Sequence, residues 1–158
     1  MRNTYSVSAV IEEDVQIGKG SFVWYFSHVM SGAKIGQDCT IGEKVFIGKD
    51  VIIGDRVKIG NGASICEGAI IKDDVFVGMN AVFTNVRKPV AFRKAEKYLD
   101  TIIEERSSIG ANATVVGGVR VGKGSMIADG AVVIGNLPDG ILAAGNPARI
   151  IKKIRYED

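Results

Sequence analysis

An apolar residue recurs at every sixth position of this 158-residue chain. The series runs Ile11, Ile17, Val23, Val29, Ile35, Ile41, Ile47, Ile53, Ile59, Ile65, Ile71, Val77 and Phe83. All but the last are β-branched. Glycine follows directly at Gly18, Gly36, Gly42, Gly48, Gly54, Gly60 and Gly78. The pattern resumes at Ile103, Ile109, Val115, Val121, Ile127 and Val133. An α-helix drifts out of phase on such a period, and a plain strand alternates on two. A period of six suits short strands joined by bends. The β-branched residue then points inward and stacks on its equivalents, while glycine is expected to supply the bend's backbone angles. Hexapeptide repeats of this kind are a β-helix signature.

Composition narrows the function classes. The formal net charge is +2, so nothing suggests a general nucleic-acid binder. His28 is the single histidine, which excludes a metal centre built from several histidines of one chain. Cys39 and Cys66 make neither a metal motif nor a disulfide framework, and thiols used this sparingly fit a reducing compartment. The N-terminus lacks a positive region followed by an apolar run, and no apolar stretch is long enough to span a bilayer. These features are those of a cytoplasmic protein with no membrane partner.

The repeat breaks twice. Between Phe83 and Ile103 the chain carries five cations: Arg87, Lys88, Arg93, Lys94 and Lys97. A solvated loop is one reading; an insertion that extends a binding face is the other, since long insertions in a regular solenoid are more often functional. The second break is NLPDGILAAGNPARIIKKIRYED, where Pro138 and Pro147 are expected to end regular structure. The terminal IIKKIRYE then caps the open end as a short strand or helix.

The stretches VWYFSHVMSGAKIG, KDDVFVGMNAVFTNV and SSIGANATVVGGVRVGKGSMIADGAVV, with the late AAGNPARII, resemble hexapeptide-repeat acyltransferases. Within them the chain is most similar to UDP-2-acetamido-3-amino-2,3-dideoxy-glucuronate N-acetyltransferases and related dTDP-3-amino-hexose N-acetyltransferases. The resemblance implies an all-β, left-handed parallel β-helix with triangular coils of 18 residues. It implies a single domain over 1–158, with an extruded loop at about 84–102 and a C-terminal cap over 137–158. It further implies a homotrimer. Acetyl-CoA would lie in the cleft between neighbouring helices, and a nucleotide-linked amino sugar would enter the same cleft. No metal is implied.

The same resemblance assigns residues. In the family an asparagine of an F-T-N motif places the sugar amine near the thioester; here it is Asn85. The acidic residue before glycine in the preceding coil is Glu67. The two are 18 apart, hence on one corner of successive coils, about 4.8 Å apart. Together they are expected to orient one amine. His28 follows Trp24 in a W-x-x-x-H arrangement. It is a candidate general base, yet it should point outward, three coils from Val82, too far to share a proton with a ligand at Asn85 of its own chain. Interface packing or sugar contact is the alternative for His28; stacking on a ligand base or packing at a subunit interface is expected of Trp24. Asn61 and Ser64 join Trp24 as candidate substrate contacts. Arg87, Lys88, Arg93 and Lys94 are candidate partners for the pyrophosphate or a sugar carboxylate. Gly110, Ala111, Gly117 and Gly118 are expected to face the pantetheine arm, although coils need glycines at bends in any case. Arg149, Lys152 and Lys153 are candidate partners for the phosphates of CoA.

Cys66, in Cys66-Glu67-Gly68, stands where the glucuronate group has an aromatic residue. Gly60 and Gly62 stand where that group has bulkier polar residues. The chemistry expected is direct attack of an amine on the thioester, with no covalent nucleophile in view. A γ-type carbonic anhydrase needs three histidines and is set aside. A rigid trimeric spacer explains the repeat but not the basic interruption. An O-acetyltransferase leans harder on a general base.

Overall fold

The computed structural model describes residues 4–93 and 97–155. Within them lie 21 short strands and no helix. The strands wind into a left-handed parallel β-helix whose coils stack as three sheets of seven, six and eight strands. The first sheet contains Val10–Ile11, His28–Val29, Phe46–Ile47, Ser64–Ile65, Val82–Phe83, Thr114–Val115 and Val132–Val133. The second contains Gln16–Ile17, Lys34–Ile35, Ile52–Ile53, Ala69–Ile71, Thr101–Ile103 and Arg120–Val121. The third starts at Phe22–Val23, passes through Met126–Ile127, and ends with Ile141–Ala144 and Arg149–Lys153.

Register explains the period. Val29 pairs with Ile47, and Ile47 with Ile65, so each β-branched residue stacks on the one 18 positions on. Nearly all of these residues are buried, and Val23, Ile41, Ile65, Phe83 and Ile109 are wholly so. A second inward position lies two residues earlier, at Ala33, Cys39, Val45, Val51, Val57, Ala63, Ala69, Val75 and Ala81. Serine takes that place at Ser21, Ser27, Ser107 and Ser125. Its hydroxyl bridges the turn: Ser27 donates to the Gly42 carbonyl at 2.7 Å and accepts from the Val45 amide at 3.0 Å. No buried side-chain nitrogen or oxygen among the described residues lacks a partner, as the high cost of such orphans demands.

The glycines play a different part from the one expected. Those that directly follow the inward residue do not carry positive φ. They are needed because the next coil crosses too close for a Cβ. A Cβ on Gly48 would lie 2.5 Å from the Glu67 nitrogen, and one on Gly78 would lie 2.5 Å from the Ala111 nitrogen. The left-handed conformation falls two residues later, on glycine at Gly20, Gly32, Gly62, Gly68, Gly118, Gly124 and Gly130 and on other residues at Asp14, Phe26, Asp38, Lys44, Asp50, Arg56, Asp74, Asn80, Arg106 and Asn112. Most of these are residue types that tolerate it; Phe26 is not.

Two boundaries also shift. Vertical offset rises from 18 residues (Ile53 to Ile71) to 32 (Ile71 to Ile103), so the loop is a 14-residue insertion. It closes by residue 100, because Thr101–Ile103 is already back in the second sheet. At the other end Pro138 does not stop the solenoid. Leu137 bridges Val121, and Ile141–Ala144 continues parallel to Met126–Ile127. The cap proper is the strand Arg149–Lys153, which turns back antiparallel onto Ile141–Ala144.

Candidate functional site

The three corners of the prism separate the candidate residues. One corner, between the first and second sheets, carries Glu67, Asn85, Gly117 and Gly118. The next, between the third and first, carries Trp24, Asn61, Gly110 and Ala111. Within one chain the candidates therefore form two groups. His28 and Ser64 stand on the first sheet, which joins the two corners.

At the Glu67 corner the side-chain amide of Asn85 donates to the main-chain carbonyl of Glu67 at 3.1 Å. The expected vertical relation holds, but the bond goes to the backbone rather than to the carboxylate. The loop is anchored here. The Leu99 amide donates to the Asn85 carbonyl at 3.0 Å. The Gly117 amide donates to the Thr84 hydroxyl at 3.1 Å, and that of Gly118 to the Thr101 hydroxyl at 3.1 Å. Arg87 reaches the Gly117 carbonyl at 3.4 Å. A cavity of about 380 Å³ opens beside the anchor, lined by Asp50, Glu67, Ile70, Lys97, Tyr98 and Asp100. From the sequence Lys97 is only one of the loop cations, with no role assigned, and Tyr98 is not singled out. Lys88 and Arg93 are exposed along the loop. Lys94 lies outside the described residues. Burial pushes the Cys66 thiol up, so its thiolate is scarce at neutral pH.

At the second corner Trp24, Thr40, Gly42, Glu43, Gly60 and Asn61 line a cavity of about 400 Å³. Trp24 packs edge-on against Phe22, with ring centroids 5.1 Å apart, and Tyr25 and Phe26 continue the exposed aromatic row. The Asn61 side chain is already engaged: its oxygen accepts from the Glu43 amide at 2.9 Å. Asp55, Asp73 and Asp129 make the same bond to the coil below. An Asx two residues past the inward position thus caps the coil beneath it, a signal present in the sequence but easily read as ligand chemistry. The Ala111 amide is taken by Asp129 at 2.8 Å in this way.

His28 points outward, 40% exposed, and its Nε2 lies 2.6 Å from a Glu12 oxygen. The other Glu12 oxygen accepts from the Ser31 amide at 2.9 Å. That backbone bond, and then His28, hold the Glu12 carboxyl below the usual glutamate range. Phe46 packs edge-on against the imidazole at 5.8 Å. Val82 lies three rows above His28 in the same sheet, so a proton relay from His28 to a ligand at Asn85 has no path within one chain. Glu12 was not singled out from the sequence, because it lies one coil below and two positions along.

The third corner is electrostatic. Arg56 holds Asp74 by two bonds of 2.6 and 3.0 Å, and Arg120 holds Glu104 at 2.8 Å. Arg149, Lys152 and Lys153 are exposed on the cap strand. Among the described residues no group of three His, Cys, Asp or Glu side chains is placed to hold a metal, and no helix is long and apolar enough to cross a membrane.

A prism of stacked hexapeptide coils with an anchored, cation-rich loop defines a class, the hexapeptide-repeat β-helix proteins. More narrowly, the chain belongs to the bacterial transferase hexapeptide family, whose model of six repeats matches residues 8–49, 50–85 and 100–135. Over 80 residues it is 41% identical to the 2,3,4,5-tetrahydropyridine-2,6-dicarboxylate N-acetyltransferase of Clostridium perfringens. That match covers 51% of this chain and 31% of the relative, so the chain matches about a third of the length of such curated relatives. Among solved structures it is similar to a substituted GDP-perosamine N-acetyltransferase from Caulobacter crescentus in complex with CoA and GDP-perosamine. The identity there is 25%, the TM-score 0.62, and the coverage 93% of this chain and 55% of the other. It shares its fold with the polySia-specific acetyltransferase NeuO, with TM-score 0.69 at 23% identity over 99% and 90% of the two chains.

Proposed function

We propose that this chain is an acetyl-CoA-dependent N-acetyltransferase whose acceptor is the amine of a nucleotide-linked amino sugar. A UDP-linked 3-amino sugar is the favoured acceptor, with a dTDP-linked 3-amino-3,6-dideoxy-hexose as the alternative. The observation that carries the reading is the Glu67 corner. There a carboxylate, an asparagine and a basic loop meet beside a cavity. The CoA and sugar complex of the Caulobacter crescentus relative supports it.

In this reading the amine attacks the thioester directly. An amine of pKa roughly 8, like an α-amino group, is partly neutral near pH 7, so it needs no strong base. Glu67 accepts a hydrogen bond from the amine and Asn85 fixes its direction. Holding the two reactants in line supplies much of the barrier reduction, on the order of 7 kcal/mol in favourable cases. A backbone N–H stabilises the oxyanion. Arg87, Lys88 and Arg93 meet the anionic part of the acceptor. Gly110 and Ala111 on one corner, and Gly117 and Gly118 on the other, remain the candidates to line the pantetheine arm, with their amides already bonded within the chain. The two groups of candidates lie on different corners, and a homotrimer brings one chain's Trp24 corner beside its neighbour's Glu67 corner. We place this activity in surface-glycan assembly in the cytoplasm.

The test is thiol release from acetyl-CoA with a panel of UDP-, dTDP- and GDP-linked amino sugars, with and without a 6-carboxylate, and with 2,3,4,5-tetrahydropyridine-2,6-dicarboxylate. Release with one sugar nucleotide supports the reading and names base and sugar together. Release only with 2,3,4,5-tetrahydropyridine-2,6-dicarboxylate, the acceptor named for the Clostridium perfringens relative, would overturn it. No release together with no CoA binding leaves the rigid-spacer reading.

A further inference from the structure

The outward residues of the second sheet change character along its length. In register they read Gln16, Lys34, Ile52, Ile70, Ile102 and Arg120. The ends of the column are polar or charged. Its middle is three isoleucines on an outer face, and Ile52 is 45% exposed. Apolar side chains gained for such a face are stabilising only where something removes them from water. The loop does part of this. Ile52 and Ile70 form the sheet side of the 380 Å³ cavity beside Glu67, and Tyr98 of the loop stands among its walls. The corner adds Asp50 and Glu67, and the loop adds Lys97 and Asp100.

The lining selects among ligands by chemistry. Ionised carboxylates only accept, so Asp50, Glu67 and Asp100 suit hydroxyl and amine hydrogens, while Lys97 donates. The Tyr98 ring offers an apolar face with a polar tip. These groups match a hexose that carries an amine. The one exocyclic carbon of a hexose, C6, is the substituent that can be hydrocarbon or carboxylate while the amine, the hydroxyls and the nucleotide link stay as they are. A methyl group there gains by packing on isoleucine. A carboxylate there loses hydration against the same side chains. It also meets three like charges in the lining against one opposite charge.

We infer that the acceptor sugar carries a methyl group rather than a carboxylate at C6, and that Ile52 and Ile70 are the residues that select it. The inference rests on the proposed transfer to a sugar amine at Glu67. It narrows the acceptor to a 6-deoxy amino sugar, whichever base is attached. It also separates this chain from the glucuronate-directed group that its sequence resembles.

The experiment uses matched pairs of UDP-, dTDP- and GDP-linked amino sugars that differ only at C6, methyl against carboxylate. Binding to the whole protein is followed by titration calorimetry without acetyl-CoA, and turnover by thiol release with it. The unmodified chain is expected to favour the methyl member by roughly tenfold or more in Kd and in kcat/KM. Ile52→Lys places in the column the residue type that the coil below already carries at Lys34, so the fold accommodates it. That variant is expected to cut the preference by about tenfold or to invert it, with the carboxylate member bound more tightly. A merely structural role for Ile52 would weaken both members alike. Equal affinities, a preference for the carboxylate, or an unchanged ratio in Ile52→Lys overturns the inference, and thiol release then leaves acetyl transfer standing. Methyl-selective binding without thiol release supports the selection by Ile52 and Ile70 and counts against acetyl transfer. Binding of neither member of any pair overturns both. Should Ile52→Lys not fold, the comparison on the unmodified chain decides alone.

Discussion

Asn85 donates its side-chain amide to the Glu67 carbonyl at 3.1 Å, whereas Asn61, on the Trp24 corner, accepts a main-chain amide with its side-chain oxygen at 2.9 Å. The side-chain bond to the coil below thus runs in the opposite sense at the asparagine that also anchors the loop. With its nitrogen engaged on the coil below, the Asn85 side-chain oxygen is the atom that, in the proposed reading, accepts from an incoming amine. Asn85→Ala is expected to lower kcat/KM for the amine by about a hundredfold, as removal of a well-placed polar contact does. One net hydrogen bond is lost, so stability falls by only about 1 kcal/mol. Steady-state kinetics and urea unfolding of the same sample check both. Unchanged kcat/KM removes Asn85 from the site.

Phe26 has φ of +59° and is 65% exposed. Equivalent places in other coils hold Lys44, Gly62, Asn80 and Asn112. A bulky side chain in this region is strained by roughly 1 to 3 kcal/mol, and exposure returns little. Phe26→Asn is expected to stabilise the chain by about 1 kcal/mol in urea unfolding. It should do so while weakening self-association, because the aromatic row of Trp24, Tyr25 and Phe26 is in this reading a subunit contact. A stabilised variant with unchanged association, by sedimentation, would take Phe26 out of the interface.

The solenoid was legible because its signal is redundant: Ile47, Ile65 and their equivalents repeat one instruction many times. The coil corners were less so. Glycines such as Gly48 report the crossing of the next coil, which single-chain spacing does not display, so a steric requirement reads as a conformational one. Pro138 does not interrupt the coil, which continues parallel at Ile141–Ala144, and its carbonyl takes the Ser125 hydroxyl at 2.8 Å. Glu67 and Asn85 could be paired from their 18-residue spacing. Glu12 and His28 could not, because 16 residues is no period of the fold. Lys97 and Tyr98 reach the Glu67 cavity only through the path of an aperiodic loop.

The Glu12–His28 pair gives a pH signature. The Glu12 carboxyl is held below its ordinary value of 4.5 by the Ser31 amide and then by His28. A depressed folded-state value adds stability that is fully present above the unfolded value. It is lost as pH falls from near 4.5 through the folded value. Glu12→Gln should therefore flatten that part of the stability curve by lowering the region above it by the same small amount, the curves converging in acid, since the pair is solvent-screened. Thermal melts between pH 3 and pH 7 on both proteins make the comparison. An equally steep acid limb in the variant shows that other carboxylates govern it.

Gly117 links the backbone to the candidate chemistry. A Cβ there would lie 2.8 Å from the Asn85 Cα and 3.0 Å from its carbonyl carbon, and backbone atoms cannot yield as a flexible side-chain tip does. Gly117→Ala must therefore push Asn85 away from Glu67 and disturb the Thr84 and Arg87 bonds that Gly117 also makes. The expected cost is about 1 to 3 kcal/mol in stability. Its activity loss should approach that of Asn85→Ala, because both variants remove the same positioned amide. The double variant should then be far less than additive in kcat/KM, as for residues that act through one another. A purely structural role for Gly117 would instead leave the kinetic effects of the two substitutions additive, with the stability cost confined to unfolding measurements.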